Sequence, residues 1–150
     1  MTQEDKKLLL QDLCARLPRK VVVDYGYNAF DVRNGNYVKH GSKCILKCYL
    51  LDVFMSPRQN EKGEYIKPYL RSMSSMTAEE LYEVQEILGK GVEIRNVFIS
   101  IIDSSINSFS YLELQAVFDW LNAHHFDYRG LIERELAIVV TKENNPYENI

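Results

Sequence analysis

Apolar residues fall at helical spacing over residues 3–17, where Leu9, Leu10, Leu13, Cys14 and Leu17 line one side and Pro18 ends the run. The period then shortens. Residues 20–25 read KVVVDY, a β-branched run suited to a strand. Residues 29–33 and 36–40 flank Asn34-Gly35, a pair that tolerates positive φ, and predict a hairpin. Residues 43–54 are apolar on both alternating faces and predict the strongest and most central strand. A polar loop follows over residues 55–63, punctuated by Pro57 and Gly63. Residues 64–71 return as the partner strand. Pro68 places that strand at an edge or a bulge, because proline has no N–H for the ladder.

The second half alternates differently. Thr77 with Glu80 three positions on forms a capping box and starts a helix whose buried stripe is Leu81, Val84, Ile87 and Leu88, with Gly89 at its end. Residues 92–102 predict a strand and residues 103–109 a connector. Ser110 and Glu113 repeat the capping pattern ahead of a second helix carrying Leu112, Leu114, Val117, Phe118 and Leu121, with Trp120 on its flank. Asp127 caps a short third helix over residues 128–137, which Gly130 weakens, and residues 137–140 close the ordered part. Residues 141–150 are polar and read as a flexible, frayed tail. These elements predict a single α+β domain over residues 1–150. Its sheet is mainly antiparallel, of three to five strands, with about three helices packed on one face.

Composition sharpens this picture in three respects. A chain of 150 residues with 46% hydrophobic residues supports a core without metals or disulfides. Three cysteines, an odd number, point to a reducing compartment; the first residues lack a signal-peptide pattern, and no apolar run approaches membrane length, so the expectation is a cytoplasmic protein. Charge is uneven: residues 1–75 hold 13 Lys+Arg against 8 Asp+Glu, net +5, and residues 76–150 hold 5 against 13, net −8. The basic half supports nucleic-acid binding only if Arg33, Lys39, Lys43, Lys47, Arg58, Lys62, Lys67 and Arg71 share one surface.

Candidate chemistry is sparse. His124, His125 and Asp127 invite an acid–base or hydrolytic corner, yet adjacent helical residues diverge by about 100° and no metal-ligand pattern frames them; His124 and His125 also suit a helix C-terminus. Cys44 and Cys48, four apart on a predicted strand, sit about 13 Å apart and with Cys14 read as buried core thiols. Asp103-Ser104-Ser105 lacks the frame of a nucleophile. No cofactor or metal is expected. The stretch YIKPYLRSMSSMTAEELYEV, residues 65–84, reads as the joint between a strand and a helix, with Met73 and Met76 plugging the corner. Lys67, Arg71, Ser72, Ser74 and Ser75 near the helix start offer an anion corner, but without the glycines of a phosphate loop. Tyr65, Tyr69 and Arg71 would share one face of the edge strand and anchor a protein contact. The candidate binding set is therefore Tyr65, Lys67, Tyr69, Arg71 and Ser74.

KPYLRSMSSMTAEE at residues 67–80 and VFDWLNAHHFDYRGLIERELAI at residues 117–138 carry a resemblance. The chain resembles small uncharacterised proteins of Bacteroidales genomes, prophages and phages, in which a KPYLRPMSSMT-EE phrase precedes WLN..HFDYRGLI..GLA. The phrases cover roughly a quarter of the chain. Ser72 replaces the pattern's proline, and Glu135 stands where a glycine is frequent. The resemblance implies a mobile-element or gut-bacterial setting and no mechanism. Together with the bipolar charge and the supply of 10 tyrosines, it leads to the expectation of a non-catalytic interaction or accessory protein with a protein partner or self-association. The alternatives are a small hydrolase-like enzyme at His124, His125 and Asp127, and a nucleic-acid accessory protein using the basic half.

Overall fold

A hairpin of two ten-residue strands carries the sheet. In the computed structural model, which describes residues 1–55, 65–88 and 110–148, β1 (Val22–Asp31) and β2 (Asn36–Ile45) pair antiparallel along their whole length. The turn between them closes as Asn34-Gly35 dictates: Gly35 takes φ 65° and its N–H donates to Asp31 C=O at 2.9 Å. The Asp31 carboxylate also accepts from the Arg33 N–H and the Asn34 side chain. Such a side-chain-to-backbone bond is how Asp favours a turn.

β3 (Tyr65–Leu70) lies against the other side of β1, antiparallel, with Asp24 opposite Lys67 and Val23 opposite Pro68. A two-residue β4 (Ile138–Val139) pairs parallel with Tyr69 and Leu70. Among the described residues the strand order is therefore β2-β1-β3-β4, four strands, mostly antiparallel. Pro68 does not sit on an edge strand. β4 begins opposite Tyr69, however, so on that side Pro68 lies just before the parallel ladder starts and its missing N–H breaks no β1 pairing.

The fold is α+β, with four α-helices among the described residues: α1 (Gln3–Arg16), α2 (Cys48–Met55), α3 (Ala78–Leu88) and α4 (Tyr111–Ala123). α2 corrects the expectation of one strand over residues 43–54. β2 ends at Ile45, and the chain coils at Cys48 so that Leu50 is buried while Tyr49 is 57% exposed. A run apolar on both alternating faces reads equally well as a buried helix, and here the helix prevails. Cys44 and Cys48 thus share no strand. Cys14 and Cys48 are exposed and Cys44 is half-buried, which overturns the reading of all three as core thiols.

α1 covers one sheet face through Leu9 and Leu13, which pack with Val23, Ile66 and Leu70. Its N-terminus is fixed by a capping box between Thr2 and Asp5. α3 and α4 form a second cluster: Val84, Leu88, Val117, Leu121 and Phe126 are buried together. Both of their predicted capping boxes exist. Glu80 N–H donates to Thr77 Oγ1 and Thr77 N–H to Glu80 Oε2, and the same exchange joins Ser110 and Glu113. Leu112, assigned to the buried stripe of α4, is instead 74% exposed. The predicted strand at residues 92–102, the Asp103-Ser104-Ser105 group and most of the 55–63 loop lie outside the described residues.

Candidate interaction site

His124, His125 and Asp127 are held by the end of α4. His124 caps the helix, and His125 takes φ 59°. Phe126 N–H donates to Leu121 C=O and His125 N–H to Asn122 C=O. That pair of bonds is a Schellman motif with His125 in the left-handed place where glycine is preferred. His124 Nδ1 lies 2.9 Å from Trp120 C=O, and its ring stacks on the Trp120 indole at 3.9 Å. The Asp127 carboxylate accepts three backbone N–H groups, from Arg129 at 3.3 Å, Leu131 at 3.0 Å and Ile132 at 2.7 Å. It caps one helical turn in place of the longer helix predicted. Leu136 N–H to Leu131 C=O and Glu135 N–H to Ile132 C=O close that turn as a second Schellman motif, with Glu135 at φ 57°.

Two elements far apart in sequence brace this corner. Arg16 and Asp12 of α1 are fully buried; Arg16 Nε donates to Asp12 Oδ2 at 2.7 Å, and Arg16 Nη2 donates to Phe126 C=O at 2.7 Å. Tyr147 stacks face to face on His125, with ring centroids 4.1 Å apart and planes at 9°. Its hydroxyl accepts from Val22 N–H at 3.3 Å and donates to Tyr69 C=O at 2.7 Å. β1 and β3 stop pairing at Val23 and Pro68, so the phenol takes the place of the next ladder bond. The predicted frayed tail is tied to the sheet at this residue. Burial pushes the Tyr147 phenol well above its ordinary value. Burial likewise lowers His125 to about 4, with the positive charges of Arg16 and Arg71 and the neighbouring His124 acting in the same direction. His125 is therefore neutral at physiological pH.

Of the binding candidates, Arg71, Tyr69 and Ser74 serve the fold. Arg71 forks onto the Glu80 carboxylate, with Nη2 to Oε2 at 2.9 Å, and its guanidinium lies 4.2 Å from the Phe126 ring centroid. The Arg71 bond holds the Glu80 carboxyl below its usual range. The Arg71 main chain also pairs with His125 C=O and Asp127 N–H, so the two candidate groups meet through backbone bonds. Ser72, Ser74 and Ser75 bond among themselves in a 3-10 turn. Ser72 has φ −63°, the angle that proline fixes. Tyr69 is buried, with Lys43 Nζ 4.9 Å over its ring. Of the other basic candidates, Arg58 and Lys62 fall outside the described residues.

Tyr65 and Lys67 lie elsewhere. The Tyr65 ring covers Gly26, where an added Cβ would stand 2.1 Å from Cε1; only glycine fits beneath it. Its hydroxyl donates to Asp24 at 3.0 Å. Both residues border a cavity of about 380 Å³ between the start of α1, β3 and the 131–136 turn. Leu9, Ile66 and Leu136 form its apolar floor, and Asp5 and Arg134, paired at 3.2 Å, stand at its rim. Cavities of this size hold small ligands or short segments of chain.

Among the described residues no group of three or more His, Cys, Asp or Glu side chains is placed to hold a metal, and no helix is long and apolar enough to cross a membrane. No family model, curated protein or solved structure matches the chain. Sequence reasoning missed Asp12, Arg16 and Tyr147. The first two carry a readable signal: acid and base four apart, on the same helical side as Leu9 and Leu13. Tyr147 carries none, because its partners are 78 and 125 residues away.

Proposed function

We propose that this chain is a non-catalytic interaction or accessory protein that binds a protein partner or a second copy of itself. One observation carries the reading. Among the described residues, the His124, Asp127 and Arg71 side chains are taken up by internal bonds and the His125 ring is stacked on Tyr147, while Tyr27, Tyr49, Tyr82 and Tyr111 stay exposed, from 38% for Tyr27 to 78% for Tyr111. Exposed tyrosines supply large contact area with a polar tip and anchor many interfaces. A bacterial mobile-element setting rests on the two phrases alone, and a cytoplasmic one on the cysteine count.

The test is light scattering and crosslinking of the purified chain, followed by reciprocal co-purification with purified candidate partners. A complex or self-assembly is expected, weakened at least tenfold by Tyr49→Ser, Tyr82→Ser or Tyr111→Ser. A monomer indifferent to every partner, or turnover in a hydrolase substrate panel that His125→Asn abolishes without unfolding the chain, would contradict the reading.

A further inference from the structure

We propose that residues 141–148 are a strap released by acid: when His125 takes up a proton, Tyr147 leaves the end of the sheet and the rest of the domain stays folded. The inference stands apart from the interaction reading above. Among the described residues, Tyr147 makes the hydrogen bonds that tie this segment to the sheet. Its hydroxyl sits between Val22 N–H and Tyr69 C=O, and its ring lies face to face on His125 with centroids 4.1 Å apart. The other hydrogen bonds of the segment are local. Thr141 N–H donates to Asn144 Oδ1, Glu143 N–H to Thr141 Oγ1 and Tyr147 N–H to Asn145 Oδ1, while Asn144 Nδ2 reaches back to Val139 C=O. One phenol ring therefore fastens the strap, and that ring rests on an imidazole.

The imidazole stands where a charge is unwelcome. Burial is the first force against its proton, and Arg16 from α1, His124 from the end of α4 and Arg71 just after β3 add to it. The carboxylates of the elements that meet here are engaged elsewhere. Asp12 holds Arg16, Glu80 holds Arg71, Asp127 accepts three backbone N–H groups, and Glu148 accepts from the Asn145 side chain. An imidazolium donates from both ring nitrogens, yet Nδ1 of His125 is covered and no described residue accepts from it. Stacking a cation on a phenol is favourable in itself, but it does not restore the lost hydration, and two guanidinium groups oppose it. The His125 backbone is pinned, because its N–H donates to Asn122 C=O and its C=O accepts from Arg71 N–H. The ring therefore reaches water by turning off the phenol. With the strap in place His125 titrates at about 4, against an ordinary 6.5, so the strap is fully held above pH 6.5 and loosens as the pH falls toward 4.

Amide exchange of the ¹⁵N-labelled full chain reads the strap through Val22, whose N–H donates to the Tyr147 hydroxyl. Its protection, corrected for intrinsic rates, should fall about 20-fold from pH 7 to pH 5. It should also stay below that of Leu13 in α1 at every pH, which marks the opening as local. His125→Asn should remove the fall, because asparagine accepts a left-handed φ and takes up no proton. In the unaltered chain the His125 ring resonances should titrate near pH 4. Val22 protection that is flat over this range, that matches Leu13 throughout, or that still falls in the His125→Asn chain would overturn the proposal. A His125 ring that titrates at its ordinary value would overturn it as well.

Discussion

Replacing Tyr147 by phenylalanine removes one oxygen atom and leaves the ring on His125. That oxygen bridges Val22 N–H at 3.3 Å and Tyr69 C=O at 2.7 Å, where β1 and β3 no longer bond directly. A hydrogen bond contributes about 0.5–1.5 kcal/mol net, and stranding a buried donor or acceptor costs about 1–3 kcal/mol. Tyr69 is 5% and Val22 4% exposed, so water replaces the hydroxyl poorly. The longer Val22 contact is the weaker of the two, and the sum comes to about 2 kcal/mol. For a 150-residue chain that lowers Tm by about 4–8 °C. Urea denaturation followed by the fluorescence of Trp120, the one tryptophan, should show a lower midpoint at unchanged slope. Tyr147→Ala, which also removes the stack, should cost more. A Tyr147→Phe midpoint equal to wild type would refute the hydroxyl's place in the ladder and return residues 141–148 to the status of a frayed tail.

Three further outcomes follow from the same contacts. Glu135→Gly should raise stability by about 1 kcal/mol in the same urea assay, because Glu135 holds φ 57° at a position suited to glycine. His125→Asn should flatten the acid limb of the stability curve. The folded pKa of about 4 lies below the ordinary 6.5, so the unfolded chain binds the proton first. Stability is full above pH 6.5 and falls toward pH 4, by up to about 3 kcal/mol, and asparagine, which tolerates left-handed φ, removes that slope. Asp12→Ala should destabilise by about 3–5 kcal/mol in urea by leaving Arg16 buried and uncompensated, whereas Asp12→Leu with Arg16→Met, which still strands the Phe126 C=O and frees Arg129, should recover only part of that loss.

The parts of the fold legible in the sequence are those written locally. Thr77 with Glu80, Ser110 with Glu113, and Asn34-Gly35 each declare themselves within four residues, and the structure forms all three. Residues 48–55 were misread because an apolar run carries no single period. Pro68 was misplaced because sequence does not show where a neighbouring strand begins. The corner at His125 depends on Arg16 and Tyr147, 109 positions before and 22 after it in the chain, and no local pattern joins them. The cavity is likewise assembled from three segments remote in sequence, and only Tyr65 and Lys67 of the predicted binding set border it. At both departures from the resembling phrases the backbone suits the pattern's residue: Ser72 has a proline-like φ and Glu135 a glycine-like one.

The account holds that the residues most inviting for chemistry here are fastened to the fold, and Asp127 puts this most sharply. The residue is 8% exposed, and its carboxylate accepts three backbone N–H groups. A urea midpoint for Asp127→Ala measures the matter directly. A structural acid predicts a loss of about 2–4 kcal/mol. An acid kept for catalysis is typically replaced at little cost or with a gain, so an Asp127→Ala chain as stable as wild type would contradict the account.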